Sequence, residues 1–138
     1  MSKEFFLNNE KKEEQFSVEL SLFLQELNFD SQGLIPAIAQ QYDTKQVLMM
    51  AWMNLESIQK TLESKQVCYW SRSRKKFWYK GEESGNIQYL KEMAVDCDGD
   101  AILLSVDQIG AACHTERAHC FYWKVDGDHC KLETKSCK

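Results

Sequence analysis

A chain of 138 residues, 43% hydrophobic and 12% aromatic, is long enough for one domain with a modest core and too apolar for global disorder. Its formal charge of −4 argues against non-specific nucleic-acid binding, and no apolar run reaches membrane-spanning length. The opening "MSKEFFLNNEKKEEQF" has no apolar h-region, so the expected address is cytoplasmic, where the six cysteines read as metal ligands or buried thiols before disulfides.

In chain order, residues 1–16 are expected to form a polar arm around a small "FFL" patch. "SVELSLFLQELNF" puts Leu20, Phe23, Leu24 and Leu27 on one helical face, with Ser17 as its cap. "DSQG" ends that helix, and "LIPAIAQ" predicts a short strand whose Pro36 keeps it at an edge or a start. "QVLMMAWM" predicts a dense apolar strand, and Asn54 caps a second helix with Leu55, Ile58 and Leu62 on its inner face. "VCYWSR" and "KKFWYK" predict a hairpin, followed by the glycine-bearing loop "KGEESGN". "NIQYLKEMAV" has mixed strand and loop character; "AILLSVDQ" and "HCFYWKV" predict the last strands. A polar tail, 126–138, opens on a turn at Asp126–Gly127. The pattern is mainly β (α+β): several short strands, two helices, no repeats and no βαβ rhythm.

The segment "DCDGD", if extended, turns Asp96, Asp98 and Asp100 to one face and Cys97 to the other. Three carboxylates on one face repel each other unless a cation sits among them, and their oxygens suit a hard ion such as Mg2+ or Ca2+. A thiolate suits Zn2+, so two sites are expected, one on each side. The alternative is a polar turn. An EF-hand is excluded, because its glycine and glutamate positions would fall on Ala101 and Asp107.

Cys113 and Cys120 lie seven apart, with Cys97 sixteen before Cys113, which is not the spacing of a zinc knuckle. Three thiolates without an obvious fourth would leave one tetrahedral corner open for water, as in a catalytic zinc site. His114 is open to three readings: a fourth ligand, a proton carrier or a satisfied core histidine. His119, beside Cys120, has a weaker claim of the same kind. Cys68 reads as a small buried hydrophobe, and Cys130 and Cys137 sit in the polar tail.

"YWSRSRKKFWYKGEESGN" interleaves cations with aromatics. Arg72 and Arg74 would share a strand face and could grip a phosphate, with Lys80 adding a point charge and the backbone around Gly81 and Gly85 an anion cradle. Ser71, Ser73, Glu82 and Ser84 would give polar contacts or hold the loops. Only one of Trp78 and Tyr79 is expected to face a ligand, and a solvated cationic face is the plain alternative.

In one order, "VLMMAWMN", "YWSRSRKKFWYKGEESGN", "DCDGD" and "GAACHT", with the cysteine that follows, resemble the phosphoribosyl-AMP cyclohydrolases of histidine biosynthesis, from "GLIPAIAQ" to "HCF". The resemblance makes residues 17–125 a cyclohydrolase domain in a compact, mainly β pseudobarrel with short helices, assembled as an intertwined homodimer. It implies zinc-water hydrolysis of the N1–C6 bond in the adenine ring of 1-(5-phosphoribosyl)-AMP, giving the formimino-carboxamide ribonucleotide. Cys97, Cys113 and Cys120 resemble the zinc ligands of a site built across the dimer interface. Asp96, Asp98 and Asp100 resemble the magnesium ligands, and His114 resembles the histidine of proton transfer. Arg72, Arg74, Lys80, Ser71, Ser73, Gly81 and Gly85 are the candidates for substrate phosphate. No nucleic-acid or membrane partner is expected. The pattern departs at Gln41, usually aspartate, at Glu116, usually glycine, at Ser64–Lys65, often "TG", and at His119, usually serine. The pyrophosphohydrolase domain fused to many relatives is expected to be supplied by another protein.

Two other readings compete. A closed zinc-stabilised binding module would need a fourth protein ligand. A zinc deaminase would need the motif "HxE…PCxxC", and the only proline is Pro36.

Overall fold

The computed structural model of the protein describes residues 4–134. Its helices are α1 (Glu4–Asn9), α2 (Leu20–Gln25) and α3 (Leu55–Ser64). Its strands are β1 (Ile35–Gln41), β2 (Val47–Met53), β3 (Cys68–Ser71), β4 (Lys76–Tyr79), β5 (Gln88–Val95), β6 (Ile102–Gln108), β7 (Trp123–Asp126) and β8 (His129–Leu132). Four strands form one sheet in the order β2-β1-β6-β5, while β3–β4 and β7–β8 stand as separate two-stranded ladders.

The pseudobarrel expectation is therefore corrected: the fold is mixed α/β around an open sheet. A barrel needs its outer strands to pair with each other, and β2 and β5 do not. The chain touches the free edge of β5 at a single bridge, Gln66–Tyr89, and then turns away so that β3 pairs with β4. β1 and β6 run parallel in the middle and the outer pairs are antiparallel. The helix count is corrected too, from two to three among the described residues. The additional one is α1, within the stretch read as a polar arm.

Burial follows the strand period. Ile35, Ala37 and Ala39 of β1 and Ile102, Leu104 and Val106 of β6 alternate into the core, joined by Leu48, Met49 and Met53 of β2. A bulge between Ala39 and Gln40 lets Leu48 and Met49 both turn inward. Pro36 pairs with Trp52, but the parallel ladder to β6 begins only at Ala37, so its missing N–H falls outside that ladder. Thus an inner strand tolerates a proline near its start.

α3 starts as expected. Asn54 Oδ1 accepts the Ser57 N–H at 2.8 Å, and the Asn54 N–H donates to Ser57 Oγ at 2.8 Å, a closed capping box. Ile58 is buried, with Leu55 and Leu62 packed on the same core. α2 is shorter than its periodicity suggests, and its N-cap is Glu19 rather than Ser17. Thr61 ties α3 to the hairpin: its hydroxyl accepts the Cys68 N–H at 2.9 Å and donates to Ser57 O at 2.9 Å. No helix among the described residues is long and apolar enough to cross a membrane.

Candidate active site

A cleft of about 570 Å3 opens between β4, the loop that follows it, β2 and the loop after β6. That size suits a small-molecule ligand. Its lining brings together Arg74, Lys80, Gly81, Cys113, His114 and Cys120.

The two cysteines arrive there by short-range backbone ties. The Cys120 N–H donates to Leu48 O at 2.7 Å, fixing that residue on the bulge of β2. The Cys113 N–H donates to Arg117 O at 3.2 Å, and the Glu116 N–H returns to Cys113 O at 2.9 Å, closing a tight loop. Glu116 holds φ +64° within it, the left-handed conformation that glycine adopts most easily. The Cys113 and Cys120 side chains lie within hydrogen-bonding reach of each other.

Their acidities diverge. Burial raises the Cys113 thiol, but hydrogen bonds from the Thr115 hydroxyl and N–H, Cys120 and Tyr122 more than offset it, leaving the thiol below its ordinary value. The Thr115 hydroxyl is 3.1 Å from that sulfur. Cys120 is pushed up to about 11, first by burial of its sulfur and then by charge on Cys113. Burial lowers the Lys80 ammonium, against an opposing pull from Cys120 and Cys113. The two thiols form a soft, cation-seeking donor pair, and the partly desolvated Lys80 ammonium beside them is an anion-binding group.

The basic hairpin divides between the cleft and the turn. Arg74, Lys76 and Lys80 line the cleft. Arg72 instead lies over the Trp52 ring, 4.6 Å from its centroid. Ser71 Oγ accepts the Arg74 N–H at 3.2 Å and sits 3.4 Å from Ser73 Oγ, so both serines shape the turn. The loop after β4 closes through Gly85 N–H to Gly81 O at 2.8 Å. Gly81 holds φ +85°, and a Cβ there would collide with the Asn86 backbone. Trp78 and Tyr79 both border the cleft, against the expectation of one, because β4 ends at Tyr79 and the chain turns. Trp78 also packs on the buried Tyr69, ring centroids 5.1 Å apart. Lys76 and Asn86 are lining residues that the sequence reading missed; Lys76, Trp78 and Lys80 at alternate positions were the available signal for the first.

The acidic segment lies elsewhere. Residues 97–100 form a turn rather than a continuation of β5, so the alternating-face premise is corrected. The Asp96 N–H donates to Ala101 O at 3.0 Å, and Asp96 Oδ1 accepts the Asp100 N–H at 3.0 Å, closing the turn on itself. Asp96, Cys97 and Asp98 are exposed and Asp100 is half-buried. Cys97 does not line the cleft that holds Cys113 and Cys120. Among the described residues, no three His, Cys, Asp or Glu side chains gather as a metal site within one chain.

The remaining candidates divide between the cleft, where Glu82 and Ser84 join the lining, and the rest of the fold. His114 is exposed on its rim, whereas His119 Nδ1 accepts the Phe121 N–H at 3.2 Å. Cys68 is buried in β3, and Cys130 is exposed on β8. The described cysteines are all free thiols. Cys137 lies outside the described residues.

Comparison with known proteins gives one answer. Residues 49–122 match the family model described as phosphoribosyl-AMP cyclohydrolase. A phosphoribosyl-AMP cyclohydrolase of Alcanivorax borkumensis is 53% identical over 133 residues, covering 96% of this chain and 94% of the relative. That of Hydrogenovibrio crunogenus is 54% identical over 94% of this chain and 88% of its own length. That of Rhodospirillum centenum is 62% identical over 77% and 80%.

Proposed function

The chain belongs to the phosphoribosyl-AMP cyclohydrolase family, and from that premise we propose how its residues divide the work. The enzyme is a hydrolase of histidine biosynthesis and opens the adenine ring of 1-(5-phosphoribosyl)-AMP at N1–C6. Water adds to C6, which becomes the carboxamide carbon. The proton goes to N1, which stays attached to its ribose, so no ammonia leaves. The family needs a divalent metal for this step.

Cys113 and Cys120 fit two ligands of Zn2+: both are thiols, they adjoin, and Cys113 is already biased toward thiolate. Cys97 of a second copy is the third. Zinc, when bound, supplies Lewis acidity that makes a water nucleophilic near neutral pH. His114, exposed on the rim, carries the proton that N1 takes up. Arg74 and Lys80, with Lys76, bind a substrate phosphate inside the cleft. Arg72, Ser71 and Ser73 hold the hairpin turn that presents Arg74, and the Gly81–Gly85 loop adds backbone amides. Asp96, Asp98 and Asp100 would hold the hard ion, Mg2+, which would supply positive charge for the other phosphate.

The working unit is a homodimer. The sheet face opposite the core exposes a row in register, Met50 beside Ile38 beside Leu103 beside Ala94. Met50 borders the cysteine cleft, and Ala94 is two residues before the Asp96–Asp100 turn. A second copy laid on this row by a twofold axis covers its apolar surface and carries the turn of one chain toward the cleft of the other.

The observation that carries the reading is the convergence of Cys113, Cys120, His114, Arg74 and Lys80 on one cleft. The test supplies 1-(5-phosphoribosyl)-AMP to zinc-loaded dimer with Mg2+ and follows ultraviolet absorbance and ammonia. Ring opening without ammonia is expected. Ammonia release, or no reaction by loaded dimer, would overturn the assignment.

A further inference from the structure

The Asp96–Asp100 turn is braced from behind by residues that precede the family match, which begins at residue 49. The Asn28 side-chain amide donates to Asp98 O at 2.8 Å, and the Asn28 backbone N–H donates to Gly99 O at 2.8 Å. One residue therefore holds two consecutive carbonyls of the turn. Asn28 follows α2 and keeps only 6% of its surface exposed. The ring of Phe6, on α1, lies so close over Gly99 that a Cβ there would collide with it. Phe6 is locked in turn by edge-on contacts with Phe5 and Phe23, with ring centroids 5.1 and 5.8 Å away.

This arrangement has a direct electrostatic consequence. Three carboxylates in five residues repel one another, and a turn free to move would splay them. Holding the carbonyls of Asp98 and Gly99 inward fixes the backbone from which the Asp96, Asp98 and Asp100 side chains leave. The backbone is then ordered before any cation arrives, and only the carboxylate side chains remain to be gathered by the ion. Removing a hydrogen bond that orients a ligand from outside the first coordination sphere typically costs about 10- to 100-fold in metal affinity.

We propose that Asn28, backed by Phe6, is a positioning residue that sets the divalent-ion affinity of the Asp96–Asp100 turn. The proposal rests on the reading of that turn as a hard-ion site.

The test titrates Mn2+, whose free form is visible by electron paramagnetic resonance, into zinc-loaded wild-type, Asn28→Ala, Phe6→Ala and Asp98→Asn proteins, with thermal melting and activity measured alongside. Asn28→Ala is expected to weaken Mn2+ binding about tenfold, and Phe6→Ala in the same direction by less. In assays, Asn28→Ala should need correspondingly more Mg2+ for half-maximal rate while reaching nearly the wild-type maximum. If Asn28→Ala does not fold, the Phe6→Ala titration decides. Lower melting temperatures with Mn2+ affinity unchanged in the folded variants would make the brace merely structural and overturn the proposal. Mn2+ binding unaffected by Asp98→Asn would remove the hard-ion reading itself, a different failure from the first.

Discussion

The Thr115 hydroxyl donates to the Cys113 sulfur at 3.1 Å, two residues along the same tight loop, and helps make that thiol more acidic than an ordinary cysteine. A sulfur so placed is readied as a soft ligand. Cys113→Ser should therefore lose zinc and catalysis together, because an alcohol does not ionise at neutral pH. Metal content by mass spectrometry and rate, measured on the same folded sample, check this. One zinc per chain retained at wild-type affinity would contradict it.

His114 stands on the rim of the same cleft and is exposed. If its work is proton transfer, His114→Ala keeps zinc and loses about 10²- to 10⁴-fold in kcat, the usual worth of a positioned acid or base. Loss of zinc instead would make the residue a ligand.

Glu116 occupies φ +64°, the left-handed conformation that glycine adopts most easily. A side chain in that conformation costs about 1 kcal/mol, and glycine's greater freedom when unfolded returns much of it. Glu116→Gly should change stability to urea by no more than about 1 kcal/mol and leave zinc bound. A large loss of stability would show that the carboxylate does more than fill the turn.

Cys68 lies inside β3, and burial pushes its thiol from 9.0 up to about 11. The unfolded chain releases this proton first as pH rises, so the folded form loses stability between about pH 9 and pH 11 and keeps it in full below that window. Tyr69, also raised by burial, acts in the same direction, while the lowered Lys80 acts against it. Urea titrations of metal-free wild type and Cys68→Ala isolate the thiol. The stability difference should be constant below pH 9 and drift in favour of the variant above it. A flat difference across the window would contradict the burial account.

The sequence carried the local chemistry better than the architecture. Asn54 announced the start of α3, and "LIPAIAQ" announced a short strand though not its place inside the sheet, because caps and strand periods are written within a few residues and strand order is not. Barrel closure was not legible. It depends on whether β2 and β5 find each other, and a lone bridge at Gln66–Tyr89 diverts the chain instead. The "DCDGD" segment misled in another way: alternating side chains suggested a strand, but Gly99, at φ +70°, with Phe6 and Asn28 behind it, makes it a turn. Those partners are more than sixty residues distant, with Asn28 separated from Asp98 by 70 positions, so no local pattern reports them. The basic hairpin was half legible. The cations of the motif gave Arg74 and Lys80 as phosphate candidates, but the shared strand face expected for Arg72 and Arg74 is a turn, and the stacking of Arg72 on Trp52 joins two elements that only the tertiary fold brings together.

Whether one active site is assembled from two copies can be measured by complementation. Cys97→Ser and Cys113→Ser are each prepared as inactive, folded dimers, mixed, and allowed to exchange subunits, with exchange followed by native mass spectrometry. A mixed dimer retains one site with all its thiols, so random exchange should restore about a quarter of wild-type activity. No recovery, with mixed dimers demonstrably present, would place all three thiolates in one chain and contradict the shared site.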